Sequence, residues 1–537
     1  MSIKYEFPIV LLTASLLACP AQDPSGDDEV GETAGESSGG DGDGDGDSDT
    51  TSGDGDGDPD TTSGDGDGDS TTGDGDGDGD PVVDACEFSA SAIAWPLPQE
   101  FVGADVYEQT TDYWGCNGGA EEYRYQLLDI TGDGAVDFLV TDACDAAGAG
   151  TTHWEVFVNT GDGFADSSID WALPQLLGGG SEFYEQIADS WGCNDGQTFR
   201  YQVLDMTGDG AVDFLLTDSC DAAGVGTTHW EVYENTGSGF AVDPIAWPLP
   251  QYLNGGSEFY EQISDSWGCN GSETFRYQLL DMTGDGAVDF LLTDACDATG
   301  VGASNWLVHE NTGTGFANGP LEWGLPQVFP GDNEIYEQIA DYWTCEGGEY
   351  RYQLLDITGD GAIDFLTTDA CDETGVGASK WLVYENTGTG FAQPFDWALP
   401  MPLGDAEIYE QLADYWPCNG ETYRFQTLDL TGDHAPDLVV TDFCDVGGSG
   451  TERWDVFKNV GTGFAPNSIT WSLPGVLDGT DLYEQLTDYW GCNNDETFRY
   501  SVFDITGDGA PDLTATDLCD ANGNGTTQWS VFAAVCE

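Results

Sequence analysis

One short acidic pattern sets most of what this chain can become. Asp-x-Thr-Gly-Asp begins at Asp129, Asp205, Asp281, Asp356, Asp429 and Asp504. The period is roughly 75 residues, and self-similarity at a fixed period marks a chain built from repeated structural units. Around each copy the same features recur in order. Trp-x-Leu-Pro comes first, at Trp95, Trp171, Trp247, Trp323, Trp397 and Trp471. A Tyr-Glu-Gln segment follows, then Trp-x-Cys at Trp114, Trp191, Trp267, Trp343, Trp416 and Trp490. An aromatic-Arg-aromatic run leads into the acidic loop, and an apolar run after it ends at Thr-Asp-x-Cys-Asp. A third tryptophan opens the last segment, at Trp154, Trp230, Trp306, Trp381, Trp454 and Trp529. The 18 tryptophans are therefore six sets of three.

Within a unit the periodicity is that of strands. Glu122 to Leu128 alternates with period two, Asp137 to Thr141 is short and β-rich, and His153 to Val158 alternates again before stopping at Asn159-Thr160-Gly161. Either the Trp-x-Leu-Pro or the Tyr-Glu-Gln segment supplies a fourth strand. Four-stranded units repeated radially bury both faces of every sheet against their neighbours, and large aromatics suit that packing. The expected fold is all-β, a six-bladed β-propeller of four-stranded antiparallel blades over residues 86–537. An open solenoid is the alternative, but its terminal units need polar caps that the sequence does not show.

The acidic loop has the donor spacing of a calcium site. Asp129, Thr131, Asp133 and Asp137 place side-chain oxygens at positions 1, 3, 5 and 9, and the carbonyl of Ala135 supplies position 7. Gly134 permits the tight turn at position 6. The equivalent ligands are Asp205, Thr207, Asp209, Ala211 and Asp213; Asp281, Thr283, Asp285, Ala287 and Asp289; and Asp356, Thr358, Asp360, Ala362 and Asp364. The last two sets are Asp429, Thr431, Asp433, Ala435 and Asp437, and Asp504, Thr506, Asp508, Ala510 and Asp512. An EF-hand is excluded, because Val140 stands where its bidentate Glu belongs and the flanks are strands. The alternative is a hydrogen-bonded Asx-turn without metal. Against it, carboxylates crowded in one turn repel unless a cation neutralises them. His434 replaces the turn glycine in the fifth unit, where the weakest site is expected.

This loop, followed by Val156-Phe157-Val158-Asn159-Thr160-Gly161-Asp162-Gly163-Phe164, resembles the FG-GAP and VCBS repeats of integrin-type propellers. The resemblance covers all six units. It implies calcium held in blade loops and a role in adhesion, ligand binding or scaffolding. The chain departs from the pattern in having Thr where Asn or Asp is commoner, a longer unit, and six copies rather than the frequent seven.

The 15 cysteines divide by position. Twelve form one pair per unit: Cys116 with Cys144, Cys193 with Cys220, Cys269 with Cys296, Cys345 with Cys371, Cys418 with Cys444, and Cys492 with Cys519. Cys86 and Cys536 flank the repeats, and Cys19 lies near the N-terminus. In an exported chain this reads as six disulfides within units and a seventh, Cys86–Cys536, joining the ends, which a closed ring brings together and an open array holds apart. Zinc is the competing use, but the close Cys-x-x-Cys halves of zinc sites are missing.

The N-terminus reads as an export signal over residues 1–18. Lys4 precedes an apolar run, Pro8 to Ala18, too short to span a bilayer stably. Leu16-Leu17-Ala18-Cys19 resembles the lipobox of bacterial lipoproteins, which implies cleavage before Cys19 and diacylation of its thiol. An ordinary signal peptide with a chance cysteine is the alternative. Pro20, where Asp favours inner-membrane retention in such lipoproteins, points to the outer membrane or cell surface. Residues 19–85 are Asp, Gly, Ser and Thr with almost nothing to bury, and are expected to form a disordered tether. The membrane is thus expected to be met through the lipid anchor only.

Charge narrows the partners. There are 101 acids against 10 bases, a formal net of -91, which repels nucleic acid and favours divalent cations or a high-salt setting. Six of the ten bases are Arg124, Arg200, Arg276, Arg351, Arg424 and Arg499, one per unit, suited to an inter-strand salt bridge or to a repeated ligand contact. Catalysis normally needs one asymmetric constellation, whereas every notable group here occurs six times. The expected function is a non-enzymatic cell-surface binding or adhesion module for an extracellular protein or glycan. A multivalent glycan-binding lectin and a structural surface scaffold are the alternatives.

Overall fold

The computed structural model describes residues 86–99, 123–142, 148–175, 199–218, 224–251, 275–294, 300–326 except 303, 350–369, 375–400, 423–442, 448–474 except 451, 498–517 and 523–536. The signal segment, Cys19, the tether and the Trp-x-Cys tryptophans lie outside these residues. So do both members of every cysteine pair expected within a unit: Cys116 and Cys144, Cys193 and Cys220, Cys269 and Cys296, Cys345 and Cys371, Cys418 and Cys444, and Cys492 and Cys519. Those six disulfides therefore stay expectations of the sequence.

Two short N-terminal strands, β1 (Cys86–Phe88) and β2 (Ile93–Pro96), precede the first blade. That blade is β3 (Tyr123–Leu128), β4 (Asp137–Asp142), β5 (His153–Phe157) and β6 (Ile169–Ala172), joined in sequence order as an antiparallel meander. The same four-strand order recurs in the next four blades. The fold is the expected six-bladed propeller of four-stranded antiparallel sheets.

The blade frame is offset by one strand from the sequence repeat. The fourth strand of each blade is the Trp-x-Leu-Pro segment of the following unit, so Trp171 completes the blade that Trp154 belongs to. After the sixth copy no further Trp-x-Leu-Pro exists. The last blade, Phe498–Phe503, Asp512–Asp517 and Gln528–Phe532, therefore takes β2 from the chain start as its fourth strand. Trp95 lies opposite Trp529 in that pairing, as Trp171 lies opposite Trp154. Both tryptophans of all six pairs are fully buried.

Six apolar clusters each span two consecutive blades. One joins the sixth to the first, through Trp529, Val531 and Ile505 against Tyr125, Phe138 and Val140, so the ring is closed. A phenylalanine from one blade wedges edge-on between the paired tryptophans of the blade before it. Phe240 lies 6.0 Å from Trp154 and 6.2 Å from Trp171 between ring centroids, and Phe164, Phe316, Phe391 and Phe464 repeat the arrangement. Such edge-to-face pairs add about 0.5–1.5 kcal/mol beyond the area they bury. The preceding Gly239 bridges Ala172, and a Cβ there would lie 2.8 Å from the Ala172 nitrogen, so only glycine fits.

The joint between the fifth and sixth blades is made differently, because Ala533-Ala534-Val535-Cys536 follows the last blade strand where the other units lead to Gly-Phe. Phe88 of β1 fills the place, 6.0 Å from Trp454 and 5.5 Å from Trp471, and Glu87 pairs in parallel with Ser472 as Gly239 pairs with Ala172. The C-terminal strand Ala534–Cys536 then pairs antiparallel with β1, bringing the fifth blade's sheet to six strands. In that pairing Cys86 lies directly opposite Cys536. The two ends of the ring thus pair at the rung of the two cysteines expected to join them, and the Cys86–Cys536 disulfide itself stays an expectation of the sequence.

Candidate metal centre

Each acidic loop connects the first two strands of its blade. In the first, Asp129 follows β3 directly and Asp137 opens β4. The carboxylates organise the turn. Asp129 Oδ1 accepts the N–H groups of Gly132 at 2.8 Å and Asp133 at 3.2 Å, and its Oδ2 accepts that of Gly134 at 2.9 Å. Asp133 Oδ1 accepts the Ala135 N–H at 3.0 Å. Asp137 is fully buried; its Oδ2 accepts the Thr131 N–H at 3.1 Å and its Oδ1 the Asn159 N–H at 2.9 Å. The other five loops repeat this winding at positions 1, 5 and 9.

Burial makes these charges costly. It pushes Asp137 up to about 6 against the stabilising N–H groups of Asn159 and Thr131, and Asp213, Asp289, Asp364, Asp437 and Asp512 likewise. Asp129, Asp205, Asp281, Asp356 and Asp429 are raised too, chiefly by burial, with the charge of the position-5 aspartate adding to it.

In this arrangement the carboxylates serve the loop's own N–H groups, as an Asx-turn would. Among the described residues no three acidic, His or Cys side chains converge as a ligand set. The donor chemistry fits a hard cation all the same. Each carboxylate oxygen carries two lone pairs, and the Thr207 hydroxyl is buried with no hydrogen-bond partner. The buried hydroxyls of Thr131, Thr283, Thr431 and Thr506 lie beside the position-9 carboxylates and help stabilise their charge, without reaching full hydrogen-bond geometry. Thr358 differs, its hydroxyl donating to Asp364 Oδ2 at 3.0 Å. Asp129, Thr131, Asp133, the Ala135 carbonyl and Asp137, with their equivalents in the second, third, fourth and sixth loops, are the groups that would hold calcium; the fifth set differs in carrying His434 and an ammonium beside Asp433.

The six loops form a continuous collar. A Cβ on Gly132 would lie 3.1 Å from the Ala211 Cβ, so the position-4 glycine of one loop packs on the position-7 alanine of the next. The sequence continues around the ring to Gly507 against Ala135. A second link crosses the same boundary. Asn159 Nδ2 donates to Val136 O of its own loop at 2.9 Å and to Ile505 O of the sixth blade's loop at 2.8 Å. Asn235, Asn311, Asn386 and Asn459 make the same double donation into the preceding loop. Ala534 stands at this position in the sixth unit, so that joint has no asparagine latch and relies on β1 and the C-terminal strand. Sequence reasoning took Asn159-Thr160-Gly161 as a strand stop and missed the latch, although the asparagine recurs in five units.

The unit arginines sit on the second rung of each first strand, Arg124 opposite Thr141 and the others on the same rung. Among their side chains only that of Arg200 falls within the described residues, half-buried.

No family model matches the chain, so the FG-GAP and VCBS likeness rests on its loop and strand residues alone. No curated protein matches either. Among solved structures, the Photorhabdus luminescens Tc holotoxin pore is similar at 16% identity with a TM-score of 0.41, over 83% of this chain and 15% of that one. This chain therefore spans a small part of the toxin chain's length. A lectin from Agrocybe aegerita, described as recognising non-reducing terminal N-acetylglucosamine, is similar at 17% identity with a TM-score of 0.37, over 80% of this chain and 88% of that one.

Proposed function

We propose that the chain is an exported, calcium-stapled binding or adhesion module, non-enzymatic, held at the cell surface by a lipid on Cys19. The observation that carries the reading is the collar. Closely similar oxygen-rich loops recur around a closed ring, and the groups with chemical character are repeated rather than gathered into one asymmetric centre. Calcium bound only by the folded ring stabilises it by linkage, offsetting the burial of the position-1 and position-9 carboxylates. The exported setting keeps calcium plentiful and the cysteines oxidised.

Thermal unfolding in calcium and in excess EDTA tests the staple. Chelation is expected to lower the melting temperature by many degrees, and an unchanged melt refutes it. A glycan array in calcium then tests the partner class. Several saturable sites for one sugar assign a lectin, whereas no binding leaves a protein ligand or a scaffold.

A further inference from the structure

The fifth loop differs from the other five in a way that bears on its cation. Elsewhere the position-5 aspartate commits Oδ1 to the N–H two residues on. Its Oδ2 has no protein partner among the described residues at Asp133, Asp209, Asp285, Asp360 and Asp508. In the fifth loop Asp433 Oδ1 takes the Ala435 N–H at 3.2 Å, and Oδ2 meets the ammonium of Lys458 at 3.2 Å. Both side chains are about one-third exposed, so the pair sits in the wall of the loop rather than out in solvent.

Lys458 precedes the latch residue Asn459, whose N–H donates to Asp437 Oδ1 at 2.9 Å. The lysine is therefore held from the same rung that closes the loop. At this register the other units carry Val158, Glu234, Glu310, Glu385 and Ala533, so no other unit places a cation there. The same loop also carries His434 at φ 68, a left-handed conformation its five counterparts fill with glycine. Two departures that both disfavour an ordinary calcium loop fall in one copy.

The physical task is the same in every loop: to offset the repulsion among three aspartates crowded in one turn. An ammonium on Asp433 supplies positive charge from within the chain. It also occupies the oxygen through which position 5 would ligate a metal, and it repels a dication. Resting on the calcium reading above, we propose that Lys458 is the resident cation of the fifth loop and that this loop takes no calcium.

The full chain, stripped with EDTA and titrated with calcium, is examined by native mass spectrometry and equilibrium dialysis. Five bound ions are expected in the wild type, and one fewer in Asp285→Asn. The double variant Lys458→Glu with His434→Gly, which restores an acidic, glycine-turned loop, is expected to bind one ion more than the wild type. Six ions in the wild type, or no gain in the double variant, overturn the proposal while leaving the calcium reading intact. No ions in any of the three proteins overturns both. Melting supplies a second measure: in EDTA, Lys458→Met is expected to melt below the wild type, and an unchanged melt counts against a resident cation.

Discussion

Replacing Phe88 by alanine probes the one joint of the ring that the repeats do not build. Phe88 is 2% exposed and lies edge-on to Trp454 and Trp471, the place that Phe316 takes against Trp230 and Trp247 at an earlier joint. Emptying either pocket removes the same apolar volume, so the two variants share a loss of about 3–5 kcal/mol. They differ in what else fails. Phe316 is held in a loop tied at both ends to its own blade, whereas Phe88 is the buried anchor of a three-residue strand that carries the C-terminal strand with it. Phe88→Ala is therefore expected to raise hydrogen exchange over residues 469–473 and 534–536 while leaving the second and third blades protected. Phe316→Ala is expected to do the reverse. Urea unfolding followed by tryptophan fluorescence gives the free-energy change, and exchange mass spectrometry gives its location. A Phe88→Ala loss below about 0.5 kcal/mol, the range of a neutral surface change, would refute the assignment of β1 as the sixth wedge. So would exchange that rises equally in every blade.

Four further outcomes follow from the same geometry. Asn311→Ala strands the buried carbonyl of Met206 and the half-buried one of Val288 and is expected to cost about 1–3 kcal/mol by urea unfolding; a loss under about 0.5 kcal/mol contradicts the latch. His434→Gly relieves a left-handed conformation and is expected to stabilise the protein by about 0.5–1 kcal/mol, so a lower melting temperature opposes it. The pH dependence turns on the six position-9 aspartates, whose folded values lie near 6, above their ordinary 3.8. In the calcium-free protein their contribution is full below about pH 4 and is lost as pH rises through 6, at up to about 1.4 kcal/mol per pH unit for each carboxylate. Calcium-free melts at constant high salt are thus expected to fall from pH 5 to pH 7, and a rise reverses the sign of the argument. Finally, peptide mapping without reductant is expected to recover a Cys86–Cys536 cross-link, and free thiols at both positions count against it.

The fold was legible because its signal was repeated six times over. Recurrent tryptophans and period-two alternation marked the strands, and the unit count marked the blades. The blade frame was not legible in the same way. Trp171 follows Trp154 closely in sequence, yet a repeat read from Trp-x-Leu-Pro assigns them to different units, and only strand pairing joins them. The candidate site divides likewise. The spacing of Asp129, Asp133 and Asp137 announced an oxygen-rich turn, but not that their oxygens face the loop's own N–H groups. Asn159 and Phe88 escaped notice because each acts across a blade boundary, where sequence distance carries no information. Ile505 O, the acceptor for Asn159, is 346 residues away. Lys458 shows the converse case. A single lysine among five uncharged or acidic counterparts is visible in sequence, but its meaning comes from the 3.2 Å that separates it from Asp433.

The meeting of the two chain ends has a mechanical side. Any tension arriving along the segment ahead of Cys86 is delivered to β1, and the first rung it loads is the one where Cys86 lies across from Cys536. Hydrogen-bonded rungs pulled from one end give way in turn, like a zip, and so resist little. A covalent bond at that rung would stop the zip at its start. It would pass the load to the C-terminal strand and, through Phe532 and Val531, into the buried core of the sixth blade. A ring fastened in this way would take the pull of that segment without being unwound.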